Sequence, residues 1–143
     1  MSERDAQNLA ERVVHGMMNR DAFSQWLGIE VLETAPRRSV VRMKVRPEMV
    51  NGFGVAHGGI AYSAADSALA FASNSHGRMS VSIETTISHV IAVKEGDVLT
   101  AVAEEVSLTN KIGIYHISVT NQEGKKVALF KGTVYRTGKN WFE

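Results

Sequence analysis

Along the first twenty residues, apolar side chains return at helical spacing. Leu9, Val13 and Met17 share a stripe among charged neighbours, which predicts an amphipathic helix over Glu3 to Arg20. Asp21 stands where that pattern breaks. It is a suitable cap for a short second helix in which Phe23, Trp26 and Leu27 share one face and Gly28 supplies the stop. The period then changes to two. Ile29 to Thr34 and Val40 to Val45 read as strands around the turn Pro36-Arg37-Arg38-Ser39, and the alternation of Val41, Met43 and Val45 with Arg42 and Lys44 predicts one wet face. Past Pro47, a glycine-rich loop from Asn51 to Gly59 opens into an alanine-dominated helical run, Ile60 to Ser73. Everything beyond it is patterned as sheet. Met79 to Val93, Val98 to Leu108, Ile112 to Asn121 and Lys126 to Thr137 are rich in Val, Ile and Thr and are separated by turn signals.

Connections this short make neighbouring strands antiparallel. The order is two strands, one long apolar helix and four strands, with no repeat or linker, so residues 1–143 are expected to form a single domain. A helix that is small and apolar nearly all round must be enclosed, and a curved antiparallel sheet wrapped around it does so economically. The expected fold class is therefore α+β: a hot-dog fold with one long central helix and an N-terminal helical extension. A doubly wound sheet is disfavoured because strands and helices do not alternate.

Composition narrows the partners. Sixteen basic residues nearly cancel fifteen acidic ones, and a net charge of +1 offers no footprint for nucleic acid and no polybasic membrane anchor. Cysteine is absent, which removes disulfides, thiolate metal sites and a cysteine nucleophile and is compatible with a reducing compartment. The longest apolar stretch, Ile60 to Ala72, is interrupted by Asp66 and two serines and is too short to span a bilayer. The first residues lack the order of a secretory signal. A cytoplasmic protein is expected, without membrane or nucleic-acid partners.

Gly58 and Gly59 sit where the loop enters the long helix. A helix N-terminus offers unpaired N–H groups backed by the positive end of the macrodipole, and an oxygen gaining negative charge is stabilised there. The same glycine pair equally suits a tight turn. Asp66 is the sole carboxylate of its helix, and burying it among apolar neighbours raises the cost of its charged form. A dinucleotide fingerprint is disfavoured, because His57 stands where Gly52-x-Gly54 needs a third glycine.

The run Asn51-Gly52 to His57-Gly58-Gly59, followed by Ser63-Ala64-Ala65-Asp66-Ser67-Ala68 and Ala72-Ser73-Asn74-Ser75, closely resembles the hot-dog thioesterases of the phenylacetate-degradation (PaaI) type. The resemblance continues through Lys94-Glu95-Gly96-Asp97 to Val127-Ala128-Leu129-Phe130-Lys131-Gly132. It implies that Asp66 is the catalytic acid, as general base or nucleophile, and that Gly58 donates its backbone N–H to the thioester oxygen. By the same resemblance Asn51 orients the water or acyl group, although an Asn-Gly turn explains it as well. His57 positions the loop or touches the thioester, and Ser82 falls where some relatives hydrogen-bond the catalytic groups. Where many relatives carry an Arg-Pro pair, this chain has Val90-Ile91-Ala92-Val93, so a phosphate or pantetheine contact is expected to be missing. Lys94, Lys111 and Lys139 are scattered, and His15, His76, His89 and His116 lack metal-ligand spacing, so none is assigned a role.

Spacing adds a constraint of its own. Gly58 and Asp66 are eight residues apart, roughly 12 Å along one helix, whereas both groups must come within roughly 3 Å of a reacting centre. The site is therefore expected to pair Gly58 of one protomer with Asp66 of another, in a homodimer at least, and by resemblance in a homotetramer. The function the resemblance implies is an acyl-CoA thioesterase, with an aromatic, phenylacetyl-like acyl group the first expectation for its substrate. No metal or redox cofactor is implied, coenzyme A being part of the substrate. The alternatives are an enoyl-CoA hydratase or dehydratase on the same fold and a non-catalytic acyl-CoA sensor.

Overall fold

The computed structural model describes residues 1–142. Helix α1 (Glu3–Arg20) begins at Ser2, whose hydroxyl accepts the Asp5 N–H while the Asp5 carboxylate accepts the Ser2 N–H; Ala10, Val13 and Val14 are its buried face. Helix α2 (Ala22–Leu27) is capped by the Asp21 carboxylate, which accepts the Ser24 N–H, and closes on Gly28 at φ 76°. The expected face of α2 is not the one buried. Ser24 and Leu27 turn inward, while Phe23 and Trp26 remain 55% and 52% exposed. The cause is a buried hydrogen bond of 2.8 Å between the Ser24 and Ser67 hydroxyls, which rolls α2 toward Ser24 and carries Trp26 to the outside.

Strands β1 (Glu30–Ala35), β2 (Arg38–Lys44), β3 (Arg78–His89), β4 (Val98–Leu108), β5 (Ile112–Thr120) and β6 (Lys126–Asn140) form one sheet in the order β1-β2-β4-β5-β6-β3. Every neighbouring pair is antiparallel. Helix α3 (Gly58–Asn74) touches all six strands, as the hot-dog fold requires. Alanines bring it close: Ala64, Ala65, Ala68 and Ala72 meet a sheet face on which Ala101 and Ala103 are equally small, with Phe71 and Tyr115 filling the remaining depth. Gly132 belongs to the same close approach, because a Cβ there would collide with the Leu69 side chain.

Two strand limits depart from the sequence pattern. β6 continues three residues past Thr137, and β3 ends at His89 instead of Val93. Val90 and Ile91 both donate to the Val127 carbonyl, after which the chain leaves β6 and crosses beneath the loop before α3, where Ala56 donates to the Val93 carbonyl at 2.7 Å. The apolar pattern persists through the crossing because Val93 is buried there. β3 is itself an edge strand of the sheet, with Val81 and Ile83 exposed. No helix of the described residues is long and apolar enough to cross a membrane.

Candidate active site

The N-terminus of α3 is built by His57. Its Nδ1 accepts the Gly59 N–H at 2.9 Å and its carbonyl accepts the Ile60 N–H at 2.9 Å. Nδ1 acts as an acceptor, so the neutral ring carries its proton on Nε2. The N–H of Gly58 has no acceptor among the described residues, and Gly58 is exposed. One free donor is left at the positive end of a seventeen-residue helix.

The two glycines are there for different reasons. Neither has a positive φ, so a left-handed turn does not explain them. A Cβ on Gly59 would lie 3.1 Å from His57 Nδ1, so glycine there protects the cap. A Cβ on Gly58 would lie 3.5 Å from His89 Nε2, an ordinary contact. Packing within the protomer therefore does not demand glycine at 58, and what a side chain would occupy is the approach to the free N–H. That approach is a cleft of about 220 Å³ lined by His57, Gly58, Ala61, His89, Val90 and Ile91 among others. The departure of residues 90–93 from β6 forms one of its walls.

Asp66 lies two turns further along, on the face of α3 that the sheet leaves least covered, a stripe of Gly59, Ser63, Asp66 and Ala70. It is half-buried and has no hydrogen-bond partner among the described residues. Burial first, and the Asp21 carboxylate second, push its carboxyl above the usual carboxylate range. A carboxylate disfavoured in this way is a stronger base than a solvated one and holds an acquired proton more tightly.

The remaining candidates are placed less centrally. Asn51 braces the loop: its Oδ1 accepts the Phe53 N–H at 2.9 Å and the Val55 N–H at 3.4 Å, while its own N–H donates to the Val55 carbonyl. Ser82 is exposed on β3, seven residues and roughly 23 Å along the strand from His89, opposite Val134. Within a single protomer, the fold brings His57, Gly58 and the Asn51 loop together and leaves Asp66 and Ser82 apart from them. It also adds His89, which spacing passed over because β3 delivers it from thirty-one residues downstream of Gly58. Of the other unassigned histidines, His15 meets only the neighbouring Asn19 amide, at 3.2 Å, whereas the His76 Nε2 lies 2.7 Å from the Glu105 carboxylate, which also accepts the Tyr115 hydroxyl. That cluster lies beyond the opposite end of α3.

Comparisons with known proteins agree with this architecture. The model of the thioesterase superfamily matches residues 53–128. The acyl-coenzyme A thioesterase PaaI of Escherichia coli is 39% identical over 124 residues, spanning 87% of this chain and 89% of that protein. Its solved structure, that of the PaaI protein from the phenylacetic acid degradation operon, superposes with a TM-score of 0.92 at 36% identity, covering 94% and 98% of the two chains. A protein of Archaeoglobus fulgidus named as a putative esterase is 41% identical over 133 residues, or 93% of this chain and 86% of that one. A hypothetical thioesterase of Streptococcus pneumoniae, solved with coenzyme A, aligns at 29% identity and a TM-score of 0.76 over 78% and 88% of the chains. With the sheet order, the glycine-led helix and the lone acid already in place, these matches make the chain a thioester hydrolase of the thioesterase superfamily, in its PaaI-type hot-dog branch.

Proposed function

We propose that this chain hydrolyses acyl-CoA thioesters to the free acid and coenzyme A, with an aromatic ester of the phenylacetyl kind as its preferred substrate. The observation that carries this is the pairing of a free N–H at Gly58 with an unpartnered, half-buried carboxylate at Asp66. The first stabilises the negative charge that develops on the thioester oxygen, and the second takes a proton from water or attacks the carbonyl itself. When Asp66 acts as base, hydroxide adds to the carbonyl carbon, the C–S bond breaks, and the coenzyme A thiolate leaves to take up a proton.

The two groups stand eight positions apart on one helix, so each reaction centre draws Gly58 from one protomer and Asp66 from another. The exposed edge of β3, with Val81 and Ile83, offers a surface on which such protomers can meet. His57 keeps the donor loop in register through its cap, and Asn51 keeps the loop closed. Ser82, on the same open edge, would come to the centre only through the partner. The thioesterase relative solved with coenzyme A supports the choice of carrier, and the PaaI relative supports the aromatic acyl group. No metal is needed for this chemistry. The lack of cysteine fits a cytoplasmic setting.

A steady-state panel of aromatic and straight-chain acyl-CoA esters, followed by release of free thiol, tests the activity. Asp66→Asn is expected to lower turnover by about two to four orders of magnitude with the assembly intact. Near-normal hydrolysis by that variant would remove Asp66 from the chemistry. Flat inactivity of the wild type across the panel would turn the assignment toward ligand sensing.

A further inference from the structure

Helix α2 turns its two aromatic side chains into solvent, and half-exposed rings side by side mark a surface that is completed by something else. Phe23 and Trp26 stack with centroids 6.1 Å apart and planes 16° from parallel. Arg46 holds Trp26 in place: its guanidinium lies 5.0 Å over the Trp26 ring, and its Nη2 donates to the Trp26 carbonyl at 2.6 Å. The rings form one wall of a cleft of about 350 Å³ whose other side is His57, Gly59, Ile60 and Ser63. That is within the size range of small-molecule sites, roughly 300–1,000 Å³. The Ser63 hydroxyl donates to the Gly59 carbonyl at 2.7 Å, so it faces back onto its own helix and leaves the floor less polar. Asp66 is the next residue of the same α3 stripe after Ser63, about 4.5 Å further along the axis.

We propose that this cleft receives the acyl part of the thioester on which Asp66 of the same protomer acts, and that the flat surface of Phe23 and Trp26 selects an aromatic acyl group over a straight chain. It rests on the thioesterase assignment above and adds the residues that set its substrate preference. A planar ring can lie against Phe23 or Trp26 in the offset geometry that aromatic pairs prefer, whereas an alkyl chain gains only burial.

The test compares kcat/KM for phenylacetyl-CoA and hexanoyl-CoA in the wild type, Phe23→Ala, Trp26→Ala and Trp26→Phe. Each alanine variant is expected to lose roughly tenfold or more on phenylacetyl-CoA, mainly through KM, with a several-fold smaller loss on hexanoyl-CoA, which gives up only burial, and Trp26→Phe is expected to keep most of the preference. An equal loss on both substrates would overturn the proposal, as would no loss on either. So would dissociation of the assembly in size-exclusion chromatography, which would make the rings a contact between copies. A wild type inactive on both esters would instead remove the thioesterase assignment, and this inference with it.

Discussion

At the scale of single residues, Gly58 and Asp66 both set function against stability, so a substitution at either is expected to lose activity without losing stability. Gly58 has a backbone that any residue adopts and room for a Cβ. Gly58→Ala is therefore expected to leave stability unchanged or raise it by up to about 1 kcal/mol, by restricting the unfolded chain. The same methyl group stands in front of the free N–H, so turnover is expected to fall by about tenfold or more. Urea titration and steady-state kinetics read the two effects separately, and equal activity would show that nothing approaches that donor. Asp66 reaches the same outcome through its charge. Its carboxyl is raised in the folded protein, so the folded state binds the proton more tightly than the unfolded state does, and the cost of ionisation is felt at neutral pH. Asp66→Asn is expected to raise the melting temperature at pH 7. The gain should shrink as pH falls through the raised value and vanish below the ordinary value of 3.8. Activity should show the matching acid limb, lost on the low side of the same raised value. A melting temperature unmoved by the substitution at every pH would contradict the burial of a charged Asp66.

At the scale of elements, α2 matters because it carries Asp21 to the side of α3. Asp21→Asn keeps the helix cap, since asparagine caps as well as aspartate, but removes the negative charge that helps hold up the Asp66 carboxyl. The acid limb of kcat/KM is expected to move to lower pH. A limb that stays in place would mean that burial alone sets it. The elements themselves were largely legible in the chain. The change of hydrophobic period from helix to strand at Gly28, the alanine run of α3 and the turn signals between the later strands locate eight of the regular elements within a few residues. Two features escaped because their causes are tertiary. The outward face of α2 depends on Ser24 meeting Ser67, forty-three residues away, and a serine gives no hydrophobic signal. The end of β3 depends on residues 90–93 passing beneath a loop, which buries Val93 and so imitates a strand. The placement of the glycines and the lone acid could be read directly, because each is an exception within its own segment. His89 could not, because it reaches the cleft only once β3 is laid beside β6.

At the scale of the whole molecule, a centre divided between protomers makes a quantitative demand. If Asp66→Asn and Gly58→Val are each inactive, a protomer of one kind joined to a protomer of the other restores one complete centre and leaves the second with both lesions. An equal mixture that reassembles at random holds about half mixed dimers, so about a quarter of wild-type activity is expected to return. Co-refolding the two inactive proteins and assaying thiol release measures it directly, and no recovery from well-mixed assemblies would place both groups in one chain. The open side of β3 has a wider consequence. A strand with free backbone groups and outward-facing Val81 and Ile83 is adhesive toward any similar strand, with Glu84 the nearby charge that discourages indiscriminate stacking. Capping of each edge by its mate would make catalytic competence and colloidal safety the outcome of one event, so dilution or an edge mutation that releases the protomer would be felt as precipitation as much as lost turnover.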